Sequence, residues 1–319
     1  MRYETVIILA IAIIVVLLLF LFFIRMLTRS LVGLATDREP IKFLIPSKKI
    51  SIRGWDDNFI NHLNNKADIL EARKTEHVEI IGQDGIRLVG HILPSYSPKR
   101  IILAFHGWRG SWSRDFGIIS DFWCSTDSTV IYIEQRGQRQ SGGEYITFGI
   151  LERYDVVEWV RLASLRFDNL PIYLCGVSMG ATSVLLSSSL GLSDRVHGII
   201  ADSGFTSAKD IWSYVINKNL HLPYFICRRS ADIECKKRIG YTADCCSTLN
   251  SLSNCHIPIL FIHGEKDSFV PAEMTYLNYN GCASPKRLFI VPDADHCMGY
   301  YLDPDGYENE IKEFFRLYD

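Results

Sequence analysis

No Cys-x-x-Cys pair and no His-Glu-x-x-His run occurs in the 319 residues, so a structural or catalytic zinc site has little support. A secreted disulfide framework is missing too: the nine cysteines are odd in number and irregularly spaced, and Cys245 and Cys246 are adjacent. Neither sign of charge prevails, with 34 Lys and Arg against 36 Asp and Glu, which excludes a global field drawing the chain to nucleic acid or to an acidic substrate. There is no internal repeat and no low-complexity tract. The most informative absence is local: residues 5–24, TVIILAIAIIVVLLLFLFFI, carry no charge.

About 20 apolar residues at ~1.5 Å rise cross a ~30 Å hydrocarbon core. A cleaved signal peptide has a shorter apolar region and ends in a small-residue site. Here Arg25 and Arg29 follow the run, and Gly33 and Ala35 match a cleavage site poorly. The pattern predicts one transmembrane anchor over residues 1–26, with the lipid bilayer as a partner through residues 5–24. Flanking charge sets orientation. Arg25, Arg29, Arg38 and Lys42 follow the span and only Arg2 precedes it, which places the large C-terminal part on the cytoplasmic side of the cell membrane.

Residues 27–76 read as a juxtamembrane linker and one amphipathic helix, since Trp55, Phe59, Ile60 and Leu63 recur at near-helical spacing. From residue 77 to 319, short β-rich runs alternate with longer helical ones. The strand candidates are HVEII, IRLVGHIL, RIILAF, TVIYIE, PIYLCG, VHGIIA, PILFIH and KRLFIV. Helix-length stretches at 149–166, 179–191 and 305–318 lie among them. Continuous apolar strands interleaved with helices imply an α/β fold with a mostly parallel eight-stranded sheet, buried on both faces. The first two strands are close enough to pair as an antiparallel edge hairpin. Residues 204–256 break the rhythm with Trp212, Tyr214, Tyr224, Phe225, five cysteines and a basic cluster from Arg228 to Arg238. They are expected to form a small helical cap. Its aromatics would line an acyl pocket or simply pack the cap onto the sheet. The basic cluster would be a solvated face or would meet an anionic surface.

The stretch LCGVSMGATS places Ser178 between Gly176 and Gly180, after a buried strand and before a helix. A Gly-x-Ser-x-Gly pentapeptide is weak evidence alone; strand, tight turn and helix around it give it meaning. A serine hydroxyl needs a base, and that base needs an orienting carboxylate. On such a sheet both belong in loops after the C-terminal ends of later strands. PILFIH is followed by Asp267 in GEKDSFVP, and KRLFIV by His296 in PDADHCMGY. Ser178, Asp267 and His296 are therefore the candidate triad. Glu265 shares the loop of Asp267 and is the alternative acid. Asp293 and Asp295, next to His296 in sequence, are poorly placed to reach its far ring nitrogen. Cys175 and Cys297 read as small buried hydrophobes. An oxyanion hole needs two backbone N–H donors. Met179 at the helix start and Trp108 in FHGWRGS would supply them.

These motifs resemble the α/β-hydrolase superfamily in its serine-hydrolase, esterase- and lipase-like branch, over roughly residues 77–319. The resemblance rests on His106-Gly107, EQRGQRQSGG (134–143), Gly176–Gly180, GEKDSFVP and His296. It implies Ser178 as nucleophile, His296 as base, Asp267 as acid, and Trp108 and Met179 as oxyanion donors. It calls for no cofactor and no metal. Relatives often carry Arg-Gly-His-Gly after the fourth strand, where this chain has Arg136-Gly137-Gln138-Arg139, so that loop does not name the substrate. The expected activity is hydrolysis of a small-molecule carboxylic ester with a small or medium acyl chain, lipid-derived esters included, through an acyl-enzyme. Amide or peptide cleavage by the same triad, or a non-catalytic anchored binding module, would use the same scaffold.

Overall fold

The structure, a computed structural model, describes residues 2–39 and 54–319. Lys42 and residues 40–53 of the expected linker lie outside the described residues. Helix α1 (Arg2–Thr36) runs past the uncharged stretch, and its residues 3–23 are all exposed. It is long and apolar enough to cross a membrane. Helix α2 (Asp57–Glu71) is the expected amphipathic helix, capped by the Asp56 carboxylate accepting from Phe59 N–H, with Phe59, Ile60, Leu63, Ala67 and Leu70 inward.

The eight expected strands are all present: β1 (Glu76–Ile81), β2 (Arg87–Leu93), β3 (Arg100–Phe105), β4 (Ser128–Glu134), β5 (Ile172–Val177), β6 (Val196–Asp202), β7 (Ile259–Gly264) and β8 (Lys286–Val291). They form one sheet in the order β1-β2-β4-β3-β5-β6-β7-β8. The expected edge hairpin pairs His77 with His91 in antiparallel register, and β2 is also antiparallel to β4. From β4 to β8 every pairing is parallel. The parallel strands are apolar throughout because both faces are covered. Ile101, Leu103 and Phe105 point into one core with Leu174, Ile199 and Phe261. Ile102 and Ala104, on the alternate side, meet Tyr132, Ile200 and Phe314 in a second.

Helices α3 (Trp112–Phe116) and α4 (Ser120–Ser125) lie between β3 and β4, α5 (Glu152–Arg166) between β4 and β5, and α6 (Met179–Ser187) between β5 and β6. Between β6 and β7 come α7 (Ala208–Tyr214), a π turn (Val215–Asn219), α8 (Tyr224–Ile239) and α9 (Thr248–Leu252). Helix α10 (Ala272–Gly281) joins β7 to β8, and α11 (Gly299–Leu302) and α12 (Pro304–Tyr318) close the chain. Helix α12 starts with Pro304 at its first position, where a missing N–H costs nothing, and buries Tyr307, Ile311, Phe314 and Phe315 along one stripe.

The strand order fixes where a ligand can sit. The chain leaves β3 toward β4 on one side and β5 toward β6 on the other. The loops after β3 and β5 therefore diverge, opening a crevice at the C-terminal ends of these strands. Gly107-Trp108 and Ser178 occupy those two loops.

Candidate active site

Ser178 stands at the turn between β5 and α6 with φ 54° and ψ −115°, a conformation rarely adopted outside glycine and costing on the order of 1–3 kcal/mol. The flanking glycines make the turn possible. A Cβ on Gly180 would sit 1.9 Å from the Phe105 carbonyl oxygen, and one on Gly176 would sit 2.4 Å from the Gly180 carbonyl carbon. The turn is held from below by Ser178 N–H donating to Asp202 O at 2.8 Å. The hydroxyl is thereby presented at the C-terminal end of β5 while the residue remains 6 % exposed.

The structure joins the three candidate residues in one hydrogen-bonded chain. Ser178 Oγ lies 3.0 Å from His296 Nε2, and His296 Nδ1 lies 2.6 Å from Asp267 Oδ2. An ionised carboxylate can only accept, so Nδ1 carries the proton and Nε2 is left free to receive one from the serine. Burial works against the Asp267 charge, but the neighbouring His296 and His263 outweigh it and hold this carboxyl well below the usual range. Burial would also push the His296 imidazole down, yet the Asp267 carboxylate, with Asp202 and Asp295 behind it, raises it above the ordinary histidine value.

Asp267 is fixed on all sides. Oδ1 accepts from Phe269 N–H at 2.9 Å and Val270 N–H at 2.7 Å. Oδ2 is shared with His263 Nε2 at 3.1 Å, and the same nitrogen lies 2.9 Å from Val270 O. Glu265 is exposed, and its carboxylate accepts from Asp293 N–H at a long 3.4 Å. Asp293 pairs with Lys266 at 2.5 Å. Asp295 accepts from the backbone N–H of His296 at 2.7 Å and from that of Ser268 at 2.8 Å, so it ties the acid loop to the histidine loop without touching the ring. Trp55 Nε1–H adds a bond to His296 O at 2.8 Å.

Met179 opens α6, so its N–H is among those without an intrahelical acceptor. Trp108 and Ser178 border the same cavity of about 100 Å³, together with Asp202, His296 and Tyr307. A Cβ on Gly107 would come within 3.3 Å of Ser178 Cβ, which places the β3 loop directly against the serine. Asp115 accepts from Gly107 N–H at 2.7 Å and shapes that loop. His106 lies beneath it, fully buried; burial lowers its pKa, and Nε2 accepts from Gln135 N–H at 3.1 Å.

Several contacts had no sequence signal. His263 ends an apolar strand and reads as a packed histidine, yet it meets the acid. Asp202, 105 residues from Tyr307, takes that hydroxyl's hydrogen bond at 2.9 Å on the cavity floor, where burial raises the carboxyl's pKa. The β3 loop also clamps the end of α1. Trp108 Nε1–H donates to Ala35 O at 2.8 Å, and Arg109 Nη2 donates to Leu34 O at 2.9 Å and Asp37 O at 2.6 Å.

The region read as a cap departs from expectation at Phe225, while Arg228, Arg229, Lys236 and Lys237 of its basic cluster are exposed, as on a solvated face. Trp212 borders a second, apolar cavity that reaches Ser178, but Phe225 points outward and is 79 % exposed. Helix α8 turns Tyr224, Cys227, Ala231 and Cys235 inward, and a neighbour one residue along is rotated by about 100°. Much of the basic cluster is neutralised. Arg238 pairs with Asp37 at 2.8 Å and Glu234 at 2.7 Å, Lys237 pairs with Glu234 and Arg228 with Asp244.

No protein-family model matches the chain. The uncharacterized protein YqkD of Bacillus subtilis (strain 168) is 28 % identical over 225 residues, covering 70 % of this chain and 73 % of that protein. The Pyrococcus furiosus esterase Pf2001 superposes with a TM-score of 0.64 at 19 % identity, over 84 % of this chain and 96 % of that one. The α/β hydrolase GrgF from Penicillium sp. sh18 does so with a TM-score of 0.59 at 16 % identity, over 77 % and 99 %. This chain has the α/β-hydrolase fold. At these identities the likeness is one of architecture, and on a hydrolase scaffold the chemistry must be argued from the site itself.

Proposed function

We propose that the protein is a membrane-anchored serine hydrolase that cleaves a carboxylic ester of a small or medium acyl chain through an acyl-enzyme. The unbroken chain from Ser178 Oγ through His296 to Asp267 carries this reading. Ser178 Oγ attacks the ester carbonyl as its proton passes to His296 Nε2, and Asp267 stabilises the imidazolium that forms. The carbonyl oxygen becomes an oxyanion, received by the N–H groups of Met179 and Trp108; losing one such donor typically costs ~3 kcal/mol. The tetrahedral adduct collapses, the C–O bond to the alcohol breaks, and His296 returns its proton to the leaving oxygen. Water then attacks the acyl-serine by the same route. The sequence of steps calls for no cofactor and no metal.

Helix α1 is proposed as the anchor. Arg25, Arg29, Arg38 and Lys42 after the span, against Arg2 before it, put the hydrolase unit on the cytoplasmic side of the cell membrane. A thiol reagent that cannot cross membranes tests this on the exposed Cys124 and Cys245: protection in intact cells is expected, and efficient labelling would reverse the topology.

The activity is tested with the full chain in detergent or vesicles, on esters and amides of the same acyl groups. Ester turnover is expected, falling by about 10⁴ to 10⁶ in Ser178→Ala. Amide turnover exceeding ester turnover would move the assignment to an amidase. Binding with no turnover would leave a non-catalytic module.

A further inference from the structure

One apolar cluster joins the uncharged stretch of α1 to the residue beside Ser178. It runs from Ile24, the last residue of that stretch, through Val32 and Ala35 to Trp212, Phe205 and Met179. Helix α1 changes character along its length. Its first turns are exposed all round, but from Ile24 onward Ile24, Thr28, Val32 and Ala35 recur at helical spacing and face the protein. Thr28 and Val32 are buried, and the Thr28 hydroxyl is satisfied within the helix by Ile24 O at 2.7 Å.

Between this face and helices α7 and α8 lies an apolar cavity of about 200 Å³. Leu31 and Val32 of α1 form one wall, Trp212 and Leu220 another, and Ser178 is at its inner end. Among the described residues, none bordering it is charged. It is larger than the ~150 Å³ apolar cavities that stay dry and admit benzene, so its size and lining suit a hydrocarbon chain.

The outer rim continues the pattern. Leu220, Leu222, Phe225 and Ile226 expose 44 %, 38 %, 79 % and 39 % of their surfaces within seven residues. Leu220 also borders the cavity, and α8, which carries Phe225 and Ile226, packs along α1. Four large apolar side chains in water beside a membrane-crossing helix are out of place; in the acyl region of a bilayer they are not. Thr28 is one helical turn beyond Ile24, so the cavity begins about 6 Å from the end of the uncharged stretch.

We propose that this cavity is the acyl-chain site for a single-chain ester dissolved in the bilayer, the class of a monoacylglycerol, entered between α1 and cap residues 220–226. The chain slides along α1 from hydrocarbon into the cavity and brings its ester carbonyl to Ser178 without crossing water. Helix α1 is then both anchor and substrate wall. The proposal rests on α1 as the anchor and Ser178 as the nucleophile.

The test uses the full chain in phosphatidylcholine vesicles and has a binding arm independent of turnover. Ser178→Ala is illuminated with a decanoylglycerol carrying a diazirine at the chain end, and adducts are mapped by peptide. Adducts in residues 28–35 and 211–220 are expected, falling at least tenfold with excess unlabelled decanoylglycerol. Adducts confined to residues 3–23, or insensitive to competition, would overturn the site. In the turnover arm, Val32→Trp fills the cavity from α1. The decanoyl-to-butyryl ratio of kcat/KM should fall at least tenfold, and parallel loss on both esters would contradict chain selection. Phe225→Asp, at an exposed position, should lower turnover of the vesicle-dissolved decanoyl ester about fivefold; wild-type turnover there would rule out entry at this rim. If the wild type hydrolyses neither ester while competed labelling persists, the hydrolase reading fails and the acyl site stands.

Discussion

The two sides of Ser178 are built by different means. On the imidazole side every position is set by a directional bond: Asp267 receives two backbone N–H groups and two histidines, and Asp295 joins the loops that carry acid and base. On the opposite side α1, Phe205 and Trp212 meet through packing, with few polar contacts reaching the cavity. Proton transfer tolerates errors of a few tenths of an ångström, so it requires fixed polar partners. An acyl chain needs volume and an absence of unsatisfied polar atoms, which packed hydrocarbon provides. The two sides meet at Trp108, whose indole with Arg109 holds the end of α1, and at Phe269, whose N–H donates to Asp267 and whose ring lies against His296; both residues border both cavities.

That contrast can be broken at several points. The largest effect is expected at Asp267→Asn, which leaves the shape intact but lets the wrong nitrogen of His296 carry the proton; kcat should fall by about 10⁴. A loss below tenfold would show that the acid lies elsewhere. Next is pH. His296 must be neutral to act as base, and its pKa is raised, so kcat/KM should lose about tenfold per unit as pH falls through a value above the ordinary 6.5. Asp267 is held low and stays ionised throughout, so it adds no second acid limb. An acid limb centred well below 6.5 would contradict the ion-pair account. Arg109→Ala should lower kcat about tenfold by loosening the loop that carries Trp108 N–H, with KM for a short soluble ester nearly unchanged. Equal changes in both would uncouple α1 from the oxyanion site. The smallest effect belongs to Glu265→Gln, within about twofold of wild type, because this carboxylate is exposed and makes a long contact.

The same division governs what could be read in advance. All eight strands were legible because buried parallel strands are short apolar runs with turn residues between them. The contact of Ser178, His296 and Asp267 was legible because each residue follows a strand end by a few residues, so local sequence carries the geometry. His263 was not: it makes no motif, and its contact with Asp267 depends on the loop doubling back over β7. Asp202 and Tyr307 meet only because α12 returns beneath β6. Residues 24–35 were the least legible. Their apolar spacing looks the same whether a helix faces lipid or protein, and only the fold reveals that one stripe turns inward. Phe225 fails similarly: it adjoins the inward-facing Tyr224, and apolar character alone does not say which of the two turns in.

The central claim is that Ser178 is an activated nucleophile. Treating the full-length protein in vesicles with a fluorophosphonate and mapping the adduct by peptide mass spectrometry tests it without knowledge of the substrate. One covalent phosphonyl adduct is expected, on Ser178, absent in Ser178→Ala and formed far more slowly in Asp267→Asn. Undiminished labelling of Ser178→Ala, or no adduct on folded wild-type protein, would contradict it.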